Sequence, residues 1–503
     1  MQTDRVDLGR SFSYPLYVSF EVRMAFIIRV VSRTCSAART SLNHHTVFKK
    51  GIPSAVTYTV SKPSKGPAPK PLPEFRPLFC NASEECSPNI PDGVDPSDPE
   101  ALFDMFFDKS IIEMIVNATN QNAELKRTRN RRQSVRERQR PWHPITSDEL
   151  RAYLGIITWM SCQPLKSLVE YWNTQKENGA VFEIIRESMG LERWSQIDRY
   201  FHVFLPSEHP LTPKPRPFDK VEPLAKHLRK CFHKFMTAGI NVAIDECIQG
   251  FDGRASEIVN IPSKPTPIGF KIWVLAIDGY VLDFMWHACG SKNQDGPQNL
   301  DPQWQKLGFS ATQSVVLTLI RQMENQGRGH VVWIDNLFTS GRLLKTLRGL
   351  EISSAGTVRT TKTHREEIQE QTQTKAAKKG SKNKPPTEKN RGLNQSIADI
   401  KIKHNTKIPW GRLYAETSEE NQVIQFAWKD SQVVLFMSTV HDGKGTILRN
   451  RKWPKNATPL VKETWGNKYE MKFYIPDFIN GYNYRDLLGV LLQNAPRTAH
   501  VTT

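Results

Sequence analysis

Two stretches decide how this chain reads: NVAIDECIQGF, residues 241–251, and HVVWIDNLFTS, residues 330–340. In each, an apolar run meets an aspartate with no polar residue between. Asp245 follows Val242, Ala243 and Ile244, and Asp335 follows Val331, Val332, Trp333 and Ile334. Such short apolar runs read as strands buried on both faces. Between them, FKIWVLAID (270–278) and YVLDFMWHAC (280–289) flank Asp278-Gly279. Asp-Gly between β-rich runs signals a hairpin, because both turn positions need positive φ. Thr312 to Gln326 then carries Val315, Val316, Leu319, Ile320 and Met323 at helical spacing, with Gly327 as C-cap. A second helix through Leu343, Leu344 and Leu347 follows Asp335, and GTVRT (356–360) reads as a further strand.

The resulting order is strand, strand, strand, helix, strand, helix, strand. It is the order of an RNase H-like α/β core, with one carboxylate on the first strand and another at the tip of the fourth. Carboxylates so placed have a chemical use: a pair of divalent ions activates a water or hydroxyl on one side of a phosphodiester and stabilises the leaving oxygen on the other. Mg²⁺ takes oxygen ligands and keeps several waters, so two or three aspartates suffice. Aspartate also ends strands and begins turns for purely local reasons, and spacing alone leaves both readings open.

The surrounding words go further. IDECIQGFDGR (244–254), NIPSKPTPIGFKIW (260–273) and WIDNLFTS (333–340) together resemble the transposase domain of the piggyBac family. The resemblance runs more loosely from about Pro99 to about Asn483. It implies that Asp245 and Asp335 are catalytic metal ligands, that Mg²⁺ (or Mn²⁺) is the cofactor, and that double-stranded DNA is the substrate. It also implies a homodimer, since two transposon ends are brought together, and a nuclear protein. Thr266 and Pro267 stand where the family commonly has a basic and an aromatic residue, and Leu337 where an aromatic is usual.

IPDFINGYN (475–483) matches the word that precedes the family's third catalytic aspartate. In the family that acid ends a Gly-Val-Asp triplet; here the corresponding position is Val490, or Leu491 with Gly489-Val490 aligned. Asp486 is the doubtful substitute. If the segment is helical, Asp486 lies one turn from Val490, about 5.4 Å along the axis, against a metal–oxygen bond of about 2.1 Å. Asp477 is a weaker candidate. The expectation is therefore a transposase derivative with impaired metal-dependent DNA strand cleavage and transfer; the alternative is a catalytically silent DNA-binding protein. The divergence after Asn483 and the unusual first 50 residues read as gene decay, a splicing alternative or an error of gene reading.

Bulk properties agree with a polyanionic partner. The 503 residues carry a net charge of +18, with a pI near 9.5, and neutralising phosphates is the commonest use of such an excess, a solvated basic surface being the other reading. The seven cysteines, Cys35, Cys80, Cys86, Cys162, Cys231, Cys247 and Cys289, are scattered without zinc-type or disulfide-framework spacing, which fits a reducing compartment. Tyr14 to Val31 is too charged to span a membrane, so no membrane is expected.

The domain reading follows composition. Residues 1–97 are expected as a poorly ordered tail and Pro-rich linker, and 98–236 as an N-terminal α-helical domain. In the latter, Ala101 to Asn120 is helical, as one helix or as two broken at Ser110, Thr146 and Glu149 form a capping box, and the aromatics of RWSQIDRYFHVF (193–204) are core. Residues 126–140, including Arg131 and Arg132, hold eight basic residues and one acid. This run reads as a DNA-backbone contact, a nuclear localisation signal or a solvated linker. Residues 237–362 form the first part of the core, 363–470 an inserted mostly-β subdomain with a disordered basic loop at 363–403, and 471–503 a truncated end. Arg254, Lys264 and Lys271 are candidate phosphate contacts, with pairing to nearby acids as the equal alternative.

Overall fold

The computed structural model describes residues 66–80, 86–129, 141–205, 218–251, 255, 257–277, 279–288, 296–323, 329–360, 393–418, 420–453, 459–466 and 468–483. The helix expected from Ala101 to Asn120 is two helices, α1 (Pro99–Asp104) and α2 (Lys109–Arg129). Asp108 makes the break: its carboxylate accepts from the Ile111 amide at 3.0 Å and the Ser110 hydroxyl at 2.6 Å, satisfying donors that a helix start leaves open. The capping box forms as expected. The Thr146 hydroxyl accepts from the Glu149 amide at 3.2 Å and Glu149 accepts from the Thr146 amide at 3.1 Å, opening α3 (Ser147–Cys162).

Arg193, on α4 (Leu191–Tyr200), grips that same Glu149 with two parallel bonds of 2.7 and 2.8 Å. The pairing holds the Glu149 carboxyl below its ordinary range. Trp194 and Tyr200 are buried, with Trp194 5.5 Å from Tyr153 and Tyr200 4.9 Å from Trp142, so these aromatics are core. α5 (Glu222–Phe235) links the helices to the sheet: Phe106 lies 5.8 Å from Phe232 and 5.5 Å from Phe235.

The chain has a mixed α/β fold around a ten-stranded mixed sheet. Its strands are β1 (Asn241–Gly250), β2 (Ile258–Asn260), β3 (Ile268–Ile277), β4 (Tyr280–Ala288), β5 (Val331–Ile334), β6 (Ser353–Thr357), β7 (Leu413–Thr417), β8 (Ile424–Lys429) and β9 (Val433–Ser438). The order across the sheet is β7-β8-β9-β6-β5-β1-β3-β4, closed by the two-residue strand Gly296–Pro297, with β2 beside β3. β5 runs parallel to both β1 and β6, and the other pairs are antiparallel. β3 and β4 join in a two-residue turn in which Ile277 faces Tyr280 and Gly279 has φ 90°; Asp278 lies outside the described residues.

Apolar strands need cover on both faces, and α5 supplies part of it. The Tyr280 hydroxyl donates to the Phe232 carbonyl at 2.9 Å, and the buried Asp283 carboxylate meets the His233 ring at 3.0 Å. The crossover from β4 to β5 runs through α6 (Ala311–Arg321), which starts on a Ser310–Gln313 capping box and ends earlier than expected; Gly327 lies outside the described residues. The crossover from β5 to β6 is α7 (Gly341–Gly349), capped by Ser340.

Two parts depart from the composition-based reading. The strands expected in an inserted subdomain do not form a sheet of their own: β9 pairs with β6 from Phe436–Thr357 to Ser438–Ala355, so β7, β8 and β9 extend the central sheet. α8 (Gln395–His404) buries Ile397, Ala398 and Ile400 beside them. Most of the basic loop at 363–403 lies outside the described residues. The Pro-rich stretch is extended, as expected, but docked. The Leu78 amide donates to the Thr439 carbonyl at 2.8 Å, the Arg76 amide to the Asn421 carbonyl at 2.9 Å, and the Tyr414 hydroxyl to the Pro67 carbonyl at 2.8 Å. A proline-rich chain is already restricted in φ, so ordering it costs less entropy. Five cysteines, Cys80, Cys86, Cys162, Cys231 and Cys247, are free thiols. No helix among the described residues is long and apolar enough to cross a membrane.

Candidate functional site

β1 and β5 are parallel neighbours in register from Asn241–Val331 to Ile244–Ile334. The next residue of each strand is an aspartate, so Asp245 and Asp335 leave the ladder at one level. Register partners in parallel strands share a face, and the Trp333 indole N–H, 2.9 Å from the Asn241 side-chain oxygen, marks that face two residues earlier. β5 stops at Asp335 because the residue turns the chain. Its carboxylate accepts from the Leu337 amide at 2.6 Å, and its carbonyl accepts from the Phe338 and Thr339 amides at 3.2 Å and the Thr339 hydroxyl at 2.7 Å. This is the side-chain turn that aspartate favours, and it leaves the carboxylate at the strand tip.

β1 continues beyond this level. Successive residues of a strand project to opposite faces, so Asp245 and Glu246 line the two sides of β1 just past the end of β5. Burial, and then the negative charge of Glu246, hold the Asp245 carboxyl well above the ordinary carboxylate range; Lys264 opposes this and Asp335 adds to it. Lys264 comes from the loop between β2 and β3, and its Nζ lies 3.0 Å from Glu246 Oε1. Burial alone would lower the Lys264 pKa, but Glu246, Asp245 and Asp335 together raise it. Lys271 lies on β3 with its ammonium 4.0 Å from the Trp273 ring centre, and burial outweighs the acids to lower its pKa.

The structure therefore brings together Asp245, Asp335, Lys264 and Lys271, and adds Glu246, which sequence reading passed over. The sign of Glu246 was its place beside Asp245 in IDECIQGF, on the alternate face of the strand. Of the two readings open for Lys264, pairing with an acid is the one observed. Arg254, Arg131, Arg132 and Asp486 lie outside the described residues. Among the described residues no group of three or more His, Cys, Asp or Glu is arranged to hold a metal ion.

The last helix among the described residues, α10 (477–483), crosses the Trp333 face. A Cβ on Gly481 would sit 2.9 Å from the Trp333 ring, and the Tyr482 hydroxyl is 3.3 Å from the Thr357 hydroxyl. Thr357 follows Gly356, the register partner of Ile334, so α10 reaches the level of the aspartates as its described part ends. His441 lies 5.3 Å from Trp333, and burial lowers its pKa against the opposing charges of Asp477 and Asp442. Asp477 itself is exposed at the helix start, its amide bonded to the Gly445 carbonyl at 3.0 Å.

Comparison with known proteins agrees with this architecture. Human PiggyBac transposable element-derived protein 2 is 24% identical over 284 residues, which are 56% of this chain and 43% of that protein, so the match spans less than half of the relative's length. A solved structure, the cryo-EM structure of piggyBac transposase synaptic complex with hairpin DNA, matches with a TM-score of 0.52 at 18% identity, covering 80% of this chain and 69% of that one; it is a likeness of fold. The sequence profile of the family described as Transposase IS4 matches residues 98–468. With the profile covering well over half of its length, the chain belongs to this piggyBac-type transposase family.

Proposed function

We propose that this chain is a piggyBac-like transposase derivative that binds double-stranded DNA and holds a divalent cation, Mg²⁺ or Mn²⁺, on Asp245 and Asp335. The strand order β4-β3-β1-β5-β6 with its parallel β1-β5-β6 half supports an RNase H-like reading of the core. The carrying observation is the β1–β5 register, which delivers both carboxylates to one level. The donor set fits one hard cation completed by water, since Mg²⁺ commonly takes one or two carboxylates. The charge held against Asp245 is of the kind a cation relieves. When bound, such an ion polarises a phosphodiester oxygen and lowers the pKa of its water. The protein's own part is to fix the carboxylates at rigid strand ends, while Lys264 and Lys271 supply positive charge for a phosphate backbone.

One sequence feature favours a second reading, a DNA-binding protein without cleavage: the position of the family's third acid is Val490 or Leu491. A cation held by two carboxylates alone is poorly placed to align both oxygens of an in-line displacement. A homodimer and a nuclear location belong to the same proposal.

The two readings separate in one set of assays on the full chain with Mg²⁺ and Mn²⁺. Nicking of duplex DNA that disappears in Asp245→Asn supports the enzyme. Salt-sensitive duplex binding without nicking, unchanged by Asp245→Asn, supports the silent binder. In either case wild type gains thermal stability from Mn²⁺ and Asp245→Asn does not; an equal gain in both rejects the proposed metal ligands.

A further inference from the structure

Away from the acid pair, β10 (Thr446–Lys452) and β11 (Glu470–Pro476) form a two-stranded antiparallel ribbon that joins no other sheet among the described residues. Leu448 stands opposite Tyr474, Asn450 opposite Lys472, and Lys452 opposite Glu470. Directly opposed residues share a face, and on this face Thr446, Leu448, Asn450, Lys452, Lys472 and Glu470 are exposed. The other face carries Phe473 and Ile475 into the core, with Phe473 4.2 Å from Trp410 and 5.0 Å from Trp465. α9 (Pro459–Trp465), between the two strands, supplies Trp465. The ribbon is thus rigidly backed and presents a polar, basic side outward.

Its attachments are specific. Arg449 donates to the Asn480 side-chain oxygen at 2.6 Å, and Arg451 pairs with Asp430. Asn480 precedes Gly481, which is seated on Trp333. The ribbon is therefore fixed through α10 to the strand that ends in Asp335. Arg449 and Arg451 belong to the backed face, so the outer face holds two lysines, Lys452 and Lys472, against one acid, Glu470, and neither lysine makes an ion pair among the described residues.

We propose that the outer face of this ribbon docks in the major groove of duplex DNA. A two-stranded ribbon fits that groove, about 12 Å wide, whereas the minor groove, about 6 Å wide, is too narrow. Lys452 and Lys472 meet phosphates or guanine edges, Asn450 meets adenine, and Leu448 and Tyr474 offer apolar contact to thymine methyls. A second copy of the chain is the competing occupant, because the ribbon has open edges. Arg449, Lys452 and Lys472 disfavour it, since clustered cations on an edge repel their own copy.

The inference rests on the DNA-binding reading, and the test separates the two. Binding of the full chain to a random-sequence duplex is measured across a salt series for wild type, for Lys452→Gln with Lys472→Gln, for Asn450→Ala, and for Lys403→Gln on α8 as control. The double variant is expected to flatten the slope of log affinity against log salt by about 1.8 and to bind at least tenfold more weakly at moderate salt. Asn450→Ala keeps the slope but loses sequence preference in selection from a random duplex pool. A major-groove dye competes with wild type and a minor-groove dye does not. All of these side chains are exposed, so melting temperatures stay unchanged. If wild type binds duplex and the ribbon variants match it, the ribbon assignment is wrong while the DNA reading stands. The ribbon assignment is equally overturned if the double variant only changes the oligomeric state. If wild type binds no duplex at any salt, both fall.

Discussion

Lys264 sits where three carboxylates press on one ammonium, paired with Glu246 at 3.0 Å and within the fields of Asp245 and Asp335. It acts as a built-in counter-cation, so Lys264→Gln has two expected effects of opposite sense. The metal-free protein loses stability, because Glu246 is left with its charge largely buried; removing one partner of a mostly buried pair costs about 3 kcal/mol. Divalent binding tightens several-fold, since a competing positive charge has gone. Mn²⁺ titration followed by calorimetry checks both, and weaker Mn²⁺ binding would assign Lys264 a supporting role instead. His202 offers a test of pH dependence. Burial, with Lys220 and Lys126, lowers its pKa to about 4, against about 6.5 unfolded. Between these values the unfolded chain binds the extra proton, so stability is intact above pH 6.5 and is lost as pH falls toward 4. The loss is roughly 3 kcal/mol at full extent, and His202→Gln should melt with a visibly flatter profile over that range. Sequence marked Asp245 and Asp335 as candidates because an acid closing an apolar run is a local pattern, and the resemblance of the surrounding words singled them out. The Glu246–Lys264 pair was illegible, because a thirteen-residue return through β2 decides where Lys264 lands.

The strands carry their own constraint at Gly356. A Cβ there would lie 2.1 Å from the Ile334 carbonyl oxygen and 2.6 Å from the Thr339 hydroxyl. Both atoms belong to the strand and turn that present Asp335. Gly356→Ala should therefore pry β6 from β5, lower the melting temperature by at least several degrees, and abolish the stabilisation by Mn²⁺, read in the same thermal assay. Elements whose signal is local were readable: the apolar runs of β1, β3, β4 and β5, the Asp-Gly hairpin, and the Thr146–Glu149 box. Others depended on competing local chemistry. Asp108 caps the start of α2, two residues before Ser110, where the sequence already left a break open. β10 was not legible as a strand, because TILRNRK is exposed on alternate residues and charged on most of the rest, so no buried face shows. The long-range pairing of β9 with β6 has no local signature at all, which is why β7, β8 and β9 read as a separate unit.

Across the whole molecule, the segment 66–80 ties one end of the described chain to the far half of the sheet through Pro67, Arg76 and Leu78. Replacing residues 66–80 with a Gly-Ser stretch of equal length removes the prolines and side chains that favour the docking, and raises its entropic cost, without changing chain length. The expected result is a lower melting temperature and new protease cleavage between residues 413 and 440, both read on the purified protein; an unchanged digestion pattern would show the docking to be energetically idle. The net charge of +18 belongs to this scale too, since it speaks for the class of partner and leaves the fold undetermined. The docked segment also has a consequence in time. The Pro67 carbonyl and the Tyr414 hydroxyl that bonds to it are 347 positions apart. At a synthesis rate of about 5–20 residues per second, the segment waits on the order of 20 to 70 seconds after it is made before its partner strand exists. During that interval the nascent chain lacks the strand that the segment docks on, so this side of the molecule is assembled late, and the speed of the ribosome sets how long it stays open.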